Sequence, residues 1–313
     1  MTLKYLVTGA TGGLGAGVLS HLIATLPSGE YAAASSREEN RKQFEDRGIA
    51  FRVVNYDDPL SMESSFQDVE NLLFVSTNTF DVEKRRKQHQ SFVDAANKMN
   101  VKHLNNVYQV WYTSLAFGGY ESNSKADVQQ AHLMTEEMMR QTELNYTSVR
   151  EGLYVDAFPV FMGWYPSTST VYLPSDGPVA FTLRAELAEA TARLIIRGGH
   201  DREIVLITAQ QTITFSEIVD LINETTGRQV QFKLVSPEDF VNLKADDEGG
   251  KPERFFKALV SWYDGISKGE TSTIDPLMAD LLGRDPVNPR EAIRRFLTEN
   301  RDYEWHQNYV NRG

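Results

Sequence analysis

The fold is indicated by one stretch near the start of the chain, Thr8-Gly9-Ala10-Thr11-Gly12-Gly13-Leu14-Gly15. It follows the short apolar run Tyr5-Leu6-Val7, and apolar residues then recur at helical spacing over residues 14–26. Glycine suits positions 9, 12 and 15 because the backbone has to turn sharply and approach a diphosphate without a Cβ in the way. The first N–H groups of the helix are then available to an anion. The stretch therefore predicts a strand, a phosphate-binding loop and a helix that together bind a dinucleotide.

The end of the second predicted strand indicates which dinucleotide binds. An acidic residue about 20 residues beyond the glycine loop is typical of proteins that bind the bare 2′-hydroxyl of NAD. This chain has Ser35-Ser36-Arg37 at that place, and hydroxyls with a cation suit a 2′-phosphate. We therefore predict NADP(H) as the cofactor. The alternative is that Arg37 is a solvated arginine at the start of a helix.

The first half of the chain alternates between short apolar segments and segments with helix-spaced apolar residues. Strands are predicted at 31–35, 51–54, 72–75, near Val101, and at 111–114, 146–150 and 204–207; helices are predicted at 38–47, 82–99, 125–142 and 184–197. This repetition is typical of a parallel sheet with right-handed crossovers and helices on both faces. The predicted fold class is α/β, a Rossmann doubly wound parallel sheet with a smaller α+β C-terminal substrate lobe.

The sequence changes character after residue 152, where aromatic residues and prolines become frequent, as in Trp164-Tyr165-Pro166. Thr214-Phe215-Ser216-Glu217 has the pattern of a capping box, and Gly227 is placed to end that helix. We predict an NADP-binding Rossmann domain at 1–152 and 181–208, and a smaller substrate-binding lobe at 153–180 and 209–313.

Composition excludes several classes of protein and site. The chain of 313 residues has a net charge of −11, which disfavours nucleic acid as a partner. Without cysteine it has no disulfide, thiolate nucleophile or zinc–thiolate site, and its six histidines form no i,i+3 or i,i+4 pair, so no metal site is predicted. The basic run Lys84-Arg85-Arg86-Lys87 is expected to be the solvated face of a helix, balanced by Asp81 and Glu83. With neither a membrane-length apolar segment nor a leader-like start, we expect a cytoplasmic protein without membrane contact.

Several segments resemble one protein family. They are the glycine loop, Asn55-Tyr56-Asp57-Asp58, Tyr112-Thr113-Ser114-Leu115, Arg150-Glu151-Gly152-Leu153-Tyr154 and Leu281-Leu282-Gly283-Arg284. The chain resembles the NmrA-like branch of the atypical short-chain dehydrogenases, and within it the NADPH quinone oxidoreductase-like proteins. The resemblance implies that the following residues contact the cofactor: Gly9, Thr11, Gly12, Gly13, Leu14, Gly15, Ser36, Arg37, Asp57, Ser76, Thr77, Ser114, His132, Gly152 and Leu153.

The chain departs from the family of short-chain dehydrogenases at the proton relay. These enzymes use Tyr-x-x-x-Lys, but no tyrosine here is followed by lysine four residues later. His132 aligns with that lysine and Tyr154 is expected beside the nicotinamide, so these two are the candidate catalytic residues. The alternative is that His132 is a polar residue on a helix beside the cleft, without a functional role. A further departure is an insertion near 104–111, which has to loop out or extend the fifth strand.

Two functions fit these observations. The first is an NADPH-dependent oxidoreductase that transfers hydride to a quinone or related aromatic carbonyl compound, an acceptor reactive enough to tolerate the missing relay. The second is a non-enzymatic regulator that senses the NADP(H) redox state and acts through a protein partner. The oligomeric state does not follow from the sequence.

Overall fold

The computed structural model describes residues 3–79, 81–102, 109–165, 167–244 and 250–300. Its strands are β1 (Leu3–Val7), β2 (Tyr31–Ser35), β3 (Ala50–Val53), β4 (Val69–Val75), β5 (Gln109–Leu115), β6 (Tyr146–Glu151), β7 (Thr170–Leu173), β8 (Glu203–Ile207) and β9 (Gln231–Leu234). Its helices are α1 (Gly13–Thr25), α2 (Arg41–Glu45), α3 (Pro59–Ser65), α4 (Val82–Lys102), α5 (Asp127–Arg140), α6 (Phe158–Met162), α7 (Arg184–Arg197), α8 (Phe215–Thr226), α9 (Pro237–Leu243), α10 (Glu253–Ser267), α11 (Leu277–Leu282) and α12 (Pro289–Glu299).

Seven strands form one sheet in the order β3-β2-β1-β4-β5-β6-β8, and every neighbouring pair is parallel. The chain builds outward from β1 in one direction through β2 and β3, and in the other from β4 onward. The crevice between β1 and β4, at the carboxyl ends of the strands, is therefore the switch point at which open α/β sheets bind ligands. The predicted Rossmann doubly wound sheet is confirmed.

Successive residues of a strand point to opposite faces of the sheet. In the central strands both sets of residues are apolar, so both faces of the sheet are buried. Leu6 and Phe74 pack with Phe92 of α4 in one core, whereas Val7 and Leu73 belong to a second core together with residues of α1 and α7. This two-sided burial explains why the central strands read as continuous apolar runs.

A smaller lobe contains the two-stranded parallel sheet β7-β9, packed with helices of the C-terminal half. Its core is rich in aromatic rings, among them Phe161, Phe215 and Tyr263. The predicted capping box is present at the start of α8, where Thr214 and Glu217 bond reciprocally, and Gly227 ends the helix in the left-handed conformation. The small second sheet confirms the α+β lobe. The exact residue limits of the lobe stay a prediction.

Two sequence predictions are wrong. The strand predicted near Val101 does not include that residue, because the backbone of α4 continues as helix to Lys102, the last described residue of this segment, without a glycine or proline to stop it. The run 84–87 is not wholly solvated, because Arg85 is only 8% exposed and faces inward. Arg86 and Lys87 do pair with Glu83 at the surface, as expected.

The insertion predicted near 104–111 lies partly outside the described residues. Its last three residues, Gln109 to Trp111, are the first residues of β5. They are part of the strand, and at its far end Ser114 pairs with Arg150 of β6.

A buried ion pair joins β6 to α5. The Arg150 guanidinium donates from Nε and Nη2 to the two carboxylate oxygens of Glu136, at 2.9 and 2.7 Å, and both side chains are almost fully buried. Nη1 donates to the carbonyls of Gly119 and Glu121, at 2.6 and 2.7 Å. The pair therefore fixes the turn after β5 as well as the helix.

We expect Arg150→Met to lower the free energy of unfolding by roughly 3–5 kcal/mol, because it leaves a carboxylate buried without its cation. The matched control is Arg86→Met, which removes an exposed pair with Glu83 and is expected to cost less than about 1 kcal/mol. Urea denaturation of both variants measures the difference. Equal costs would contradict this account of the buried pair.

Candidate functional site

The glycine loop between β1 and α1 is a tight backbone turn. Gly9 has a φ of +62°, a left-handed conformation that favours glycine. Its carbonyl accepts the N–H of Gly12 at 2.8 Å. A Cβ on Gly15 would lie 2.7 Å from the carbonyl oxygen of Thr8 and closer still to that of Gly9. Positions 9 and 15 therefore require glycine for steric reasons.

The amino end of α1 has donors available to a ligand. The N-cap residue of α1, Gly12, has no side chain that could bond the first N–H groups of the helix. The first turn of α1 contains no acidic residue. The first intrahelical bond is donated by Ala16 to Gly12, so the N–H groups of Gly13, Leu14 and Gly15 have no partner within the helix. Three such N–H groups at a helix start suit a diphosphate.

Two hydrogen-bonded side chains hold the ends of β1 and β4 together beneath this loop. The Thr8 hydroxyl donates to the carbonyl of Leu73 at 2.8 Å and accepts the N–H of Val75 at 3.0 Å. The Tyr56 hydroxyl lies 2.8 Å from Thr8 Oγ1 and donates to the Val75 carbonyl at 2.9 Å. These hydrogen bonds within the protein therefore fix the positions of the strand ends on either side of the crevice at the switch point.

Arg37 lies just past the end of β2, where its side chain is exposed together with that of Ser36. The next cation along the chain, Arg41, is engaged by Glu38 and Glu45 on its own helical turns. Lys42 likewise pairs with Asp46 at 2.7 Å. Arg37 is the cation nearest along the chain to the carboxyl end of β2, two residues past Ser35.

The residues predicted near adenine and ribose follow β3 and β4. Each oxygen of the Asp57 carboxylate accepts a hydrogen bond from Gln88 Nε2, at 3.0 Å. The Thr77 N–H donates to His89 Nε2 at 3.2 Å, while Thr77 Oγ1 is buried and has no hydrogen-bond partner within the described part of the chain. A buried hydroxyl without a partner is costly, so this atom fits a site that a polar ligand completes.

His89 is a neutral imidazole that holds the loop after β4. Because its Nε2 accepts from Thr77, its proton is on Nδ1, which lies 2.8 Å from Thr135 Oγ1; that hydroxyl in turn donates to the Ala131 carbonyl. Burial and the nearby Arg85 guanidinium lower the pKa of His89 to about 3. The ring is a structural connection between the loop and α5.

His132 is also buried, at 3% exposed, and both ring nitrogens are engaged. Nδ1 lies 2.6 Å from the Tyr112 hydroxyl and Nε2 lies 3.4 Å from Nη1 of Arg85. A guanidinium only donates, so Nε2 is the acceptor and Nδ1 carries the proton. Burial, reinforced by Arg85, lowers the pKa of His132 well below its usual value.

Arg85 is a functional candidate that the sequence analysis missed. Its guanidinium is buried between His132 and the carbonyl of Thr79, to which it donates at 2.7 Å. No carboxylate of the described residues lies within ion-pair distance of it. The available signal was the helical spacing of Arg85, His89 and Phe92, which places all three on the inner face of α4.

Ser114, at the end of β5, and Gly152 and Leu153, just after β6, are held in place by contacts with other parts of the protein. Ser114 Oγ is buried 3.2 Å from Ser148 Oγ, which donates to Glu136. Gly152 has no room for a side chain, because a Cβ would lie 2.8 Å from the Ala180 carbonyl. The Leu153 carbonyl accepts the N–H of Thr182 at 2.7 Å.

Tyr154 is connected to a buried acid, Glu151, at the end of β6. The Tyr154 hydroxyl donates to Glu151 Oε2 at 2.8 Å, and Thr191 Oγ1 lies 3.5 Å from Oε1. Glu151 is 1% exposed, and burial raises its pKa to about 8. The guanidinium carbon of Arg184 lies 4.6 Å from the centre of the Tyr154 ring. Glu151 and Arg184 were not predicted as site residues.

The described residues show neither of two other kinds of site. They contain no group of His, Asp and Glu side chains that could hold a metal ion. No helix in the described ranges has the length and apolar composition needed to cross a membrane.

The raised pKa of Glu151 predicts how stability depends on pH. Between its ordinary value of 4.5 and about 8, the folded protein keeps a proton that the unfolded chain releases. The free energy of unfolding therefore falls as pH rises through this window, by up to about 1.4 kcal/mol per pH unit from this group. We expect Glu151→Gln to be more stable than the wild type at pH 9, by a margin that shrinks towards pH 5.

Urea midpoints at pH 5, 7 and 9 measure this margin. Glu299→Gln, which changes an exposed carboxyl, is the control and is expected to show no such trend. A constant difference between Glu151→Gln and the wild type would contradict the buried, protonated state of Glu151.

Comparisons with known proteins agree with this architecture. The chain is 51% identical over 311 residues to the NmrA-like family domain-containing oxidoreductase flvB of Aspergillus flavus, covering 98% of this chain and 99% of that one. The triphenylmethane reductase of Citrobacter sp., solved in complex with NADP(H), superposes with a TM-score of 0.81 at 29% identity, covering 93% and 99%. The NADPH-dependent quinone oxidoreductase of Escherichia coli, solved with NADPH, also gives 0.81, at 25% identity, covering 94% and 100%. Because the NmrA-like family model matches residues 1–281, the chain belongs to the NmrA-like family.

Proposed function

We propose that this protein is an NADPH-dependent oxidoreductase that transfers hydride to a quinone or a related aromatic carbonyl compound. The observation that carries the proposal is the glycine loop at the switch point, with three N–H groups of α1 available and Arg37 at the end of β2. The names of the relatives support it, since one is an oxidoreductase and two structural neighbours, a triphenylmethane reductase and a quinone oxidoreductase, were solved with NADP(H) and NADPH.

The proposed contacts divide the cofactor among four segments. The glycine loop holds the diphosphate, Ser36 and Arg37 bind the 2′-phosphate, Asp57 lies near the adenine, and Ser76 and Thr77 lie near the ribose. The nicotinamide half is assigned to Ser114, His132, Gly152 and Leu153. The Thr77 hydroxyl, which has no partner among the described residues, and the steric need for Gly9 and Gly15 are consistent with this arrangement.

The cofactor would supply the hydride, and the chain has to position the acceptor and exclude water. A quinone is electrophilic enough to accept hydride without a strong general acid at the moment of transfer. One proton must still reach the oxygen of the reduced acceptor. His132 is neutral with both nitrogens engaged, so we assign it to positioning Tyr112 and Arg85 beneath the cofactor.

We assign the proton step to Tyr154, with Glu151 as the proton store behind it. The Tyr154 hydroxyl first turns its proton from Glu151 Oε2 to the acceptor oxygen, and the protonated Glu151 carboxyl then donates to the phenol oxygen, so that the hydrogen bond between them reverses direction as the proton is replaced. Charge and protons balance, since Glu151 is left as a carboxylate that solvent later re-protonates. The contact of 2.8 Å between Tyr154 and Glu151 supports this route.

The function is tested by following NADPH absorbance with the purified protein and menadione as acceptor. We expect oxidation of NADPH that depends on menadione, and we expect Gly12→Glu to abolish it, because a carboxylate at the helix start repels the diphosphate. NADPH binding without turnover on any quinone would favour the redox-sensing regulator that acts through a protein partner. Failure to bind either nicotinamide coenzyme would contradict both functions.

The proton step is tested with Tyr154→Phe. Its kcat with menadione is expected to fall towards the low end of the roughly 10²–10⁴-fold that general acids contribute, because the quinone is reactive. The wild-type kcat should decrease as pH rises through about 8, where Glu151 loses its proton, and the variant should lack that decrease. Unchanged kcat and an unchanged pH profile would remove Tyr154 from the mechanism.

A further inference from the structure

Helix α7 runs beside α1 in the same direction. A Cβ on Gly13 would collide with the Arg184 side chain, and a Cβ on Gly17, one turn later, would lie 2.6 Å from the Cβ of Ala188. Contacts that advance by four residues on both helices mean that the helices are parallel. Both therefore begin at the carboxyl edge of the sheet, and the first residue of α7 lies against the phosphate loop.

That first residue is Arg184, and its side chain reaches across to the loop. Its Nη1 and Cδ occupy the space beside Gly13 into which a side chain would project, with Cδ 2.9 Å from that Cβ position. The guanidinium is held in place by Asp156 at 2.9 Å and by the face of the Tyr154 ring. A cation is thus fixed beside the first turn of α1.

The electrostatics of the glycine loop indicate a role for the contact between Arg184 and Gly13. Residues 8–15 contain no lysine or arginine, so the loop offers backbone N–H groups and the Thr11 hydroxyl, but no cation, to a ligand with two negative charges. The ion pair of Arg184 with Asp156 is formally neutral, so a diphosphate beside Gly13 would compete with Asp156 for the guanidinium and would bring two negative charges against one. Arginine is well suited to phosphate oxygens because its planar donors bind them in pairs.

We propose that Arg184 binds the diphosphate of the dinucleotide, as the cation that the glycine loop lacks. This inference rests on the proposed function, because it takes a nicotinamide dinucleotide as the ligand. The competing explanation is structural: with Asp156, Arg184 could simply tie α7 to the segment after β6. The two explanations differ in what the loss of each side chain does to binding.

The test uses three probes that carry different phosphates: NADPH, NADH and adenosine 2′-monophosphate. Arg184→Met is expected to weaken NADPH and NADH by the same factor, roughly ten- to hundredfold, because both contain the diphosphate. Adenosine 2′-monophosphate lacks the diphosphate, so its affinity should not change. Calorimetry measures the coenzymes, and displacement of NADPH measures the weaker probe.

Arg37→Met is the matched control, because Arg37 is assigned to the 2′-phosphate. It should weaken the binding of NADPH and adenosine 2′-monophosphate and leave that of NADH unchanged, so the two variants differ in their effects on NADH and on adenosine 2′-monophosphate. Asp156→Asn removes one of the two contacts that position the guanidinium but keeps the guanidinium and the Tyr154 ring beside it, so it should retain most of the coenzyme affinity that Arg184→Met loses. Thermal denaturation of each variant reports folding independently of binding.

The outcomes separate this inference from the proposed function. If the wild type binds neither coenzyme, the proposed function fails and the inference fails with it. If the wild type binds NADPH and Arg184→Met binds both coenzymes equally well, only the inference is overturned. Equal losses of affinity in Asp156→Asn and Arg184→Met, with equal losses of stability, would likewise overturn it in favour of the structural explanation.

Discussion

The site depends on one close contact between two pieces of backbone, where Gly15 packs onto the carbonyl of Gly9. This contact sets the angle at which α1 leaves β1, and so directs the first N–H groups of the helix towards the crevice between β1 and β4. Any side chain at position 15 would push the helix away from the strand. The direction of those donors, and with it the proposed diphosphate site, follows from two residues without side chains.

Buried polar groups then fix the elements around that contact. Thr8 and Tyr56 join the ends of β1 and β4, and His89 holds the following loop to α5. On the other half of the sheet, Arg150 and Glu136 join β6 to α5. Each group satisfies its neighbours, so an unsatisfied one is informative. Thr77 Oγ1 lies at the edge where the ligand is proposed, as does the guanidinium of Arg85, which has no carboxylate partner among the described residues.

Local features were predictable from the sequence because their causes are local. The glycine loop is determined by the conformational needs of a few consecutive residues, and the capping box at Thr214 by side chains three residues apart. The sheet followed from the repetition of strand and helix. The strand near Val101 was wrong because a short apolar run does not distinguish the end of a helix from a strand.

Arg85, Glu151 and Arg184 were missed for a different reason. Arg85 acquires its significance from His132 and Arg184 from Gly13, both distant in the chain, and Glu151 acquires its significance from its burial in the folded protein. Sequence shows a charged residue but not whether folding buries it. An arginine at the start of α7 looks like any surface cation until α1 and α7 are packed side by side.

The most direct test of the account is a crystal structure of the protein grown with NADP⁺. The account predicts that diphosphate oxygens lie within about 3 Å of the N–H groups of Gly13 and Leu14, the usual length of such hydrogen bonds. A cofactor bound elsewhere, or one whose diphosphate does not contact the start of α1, would contradict it.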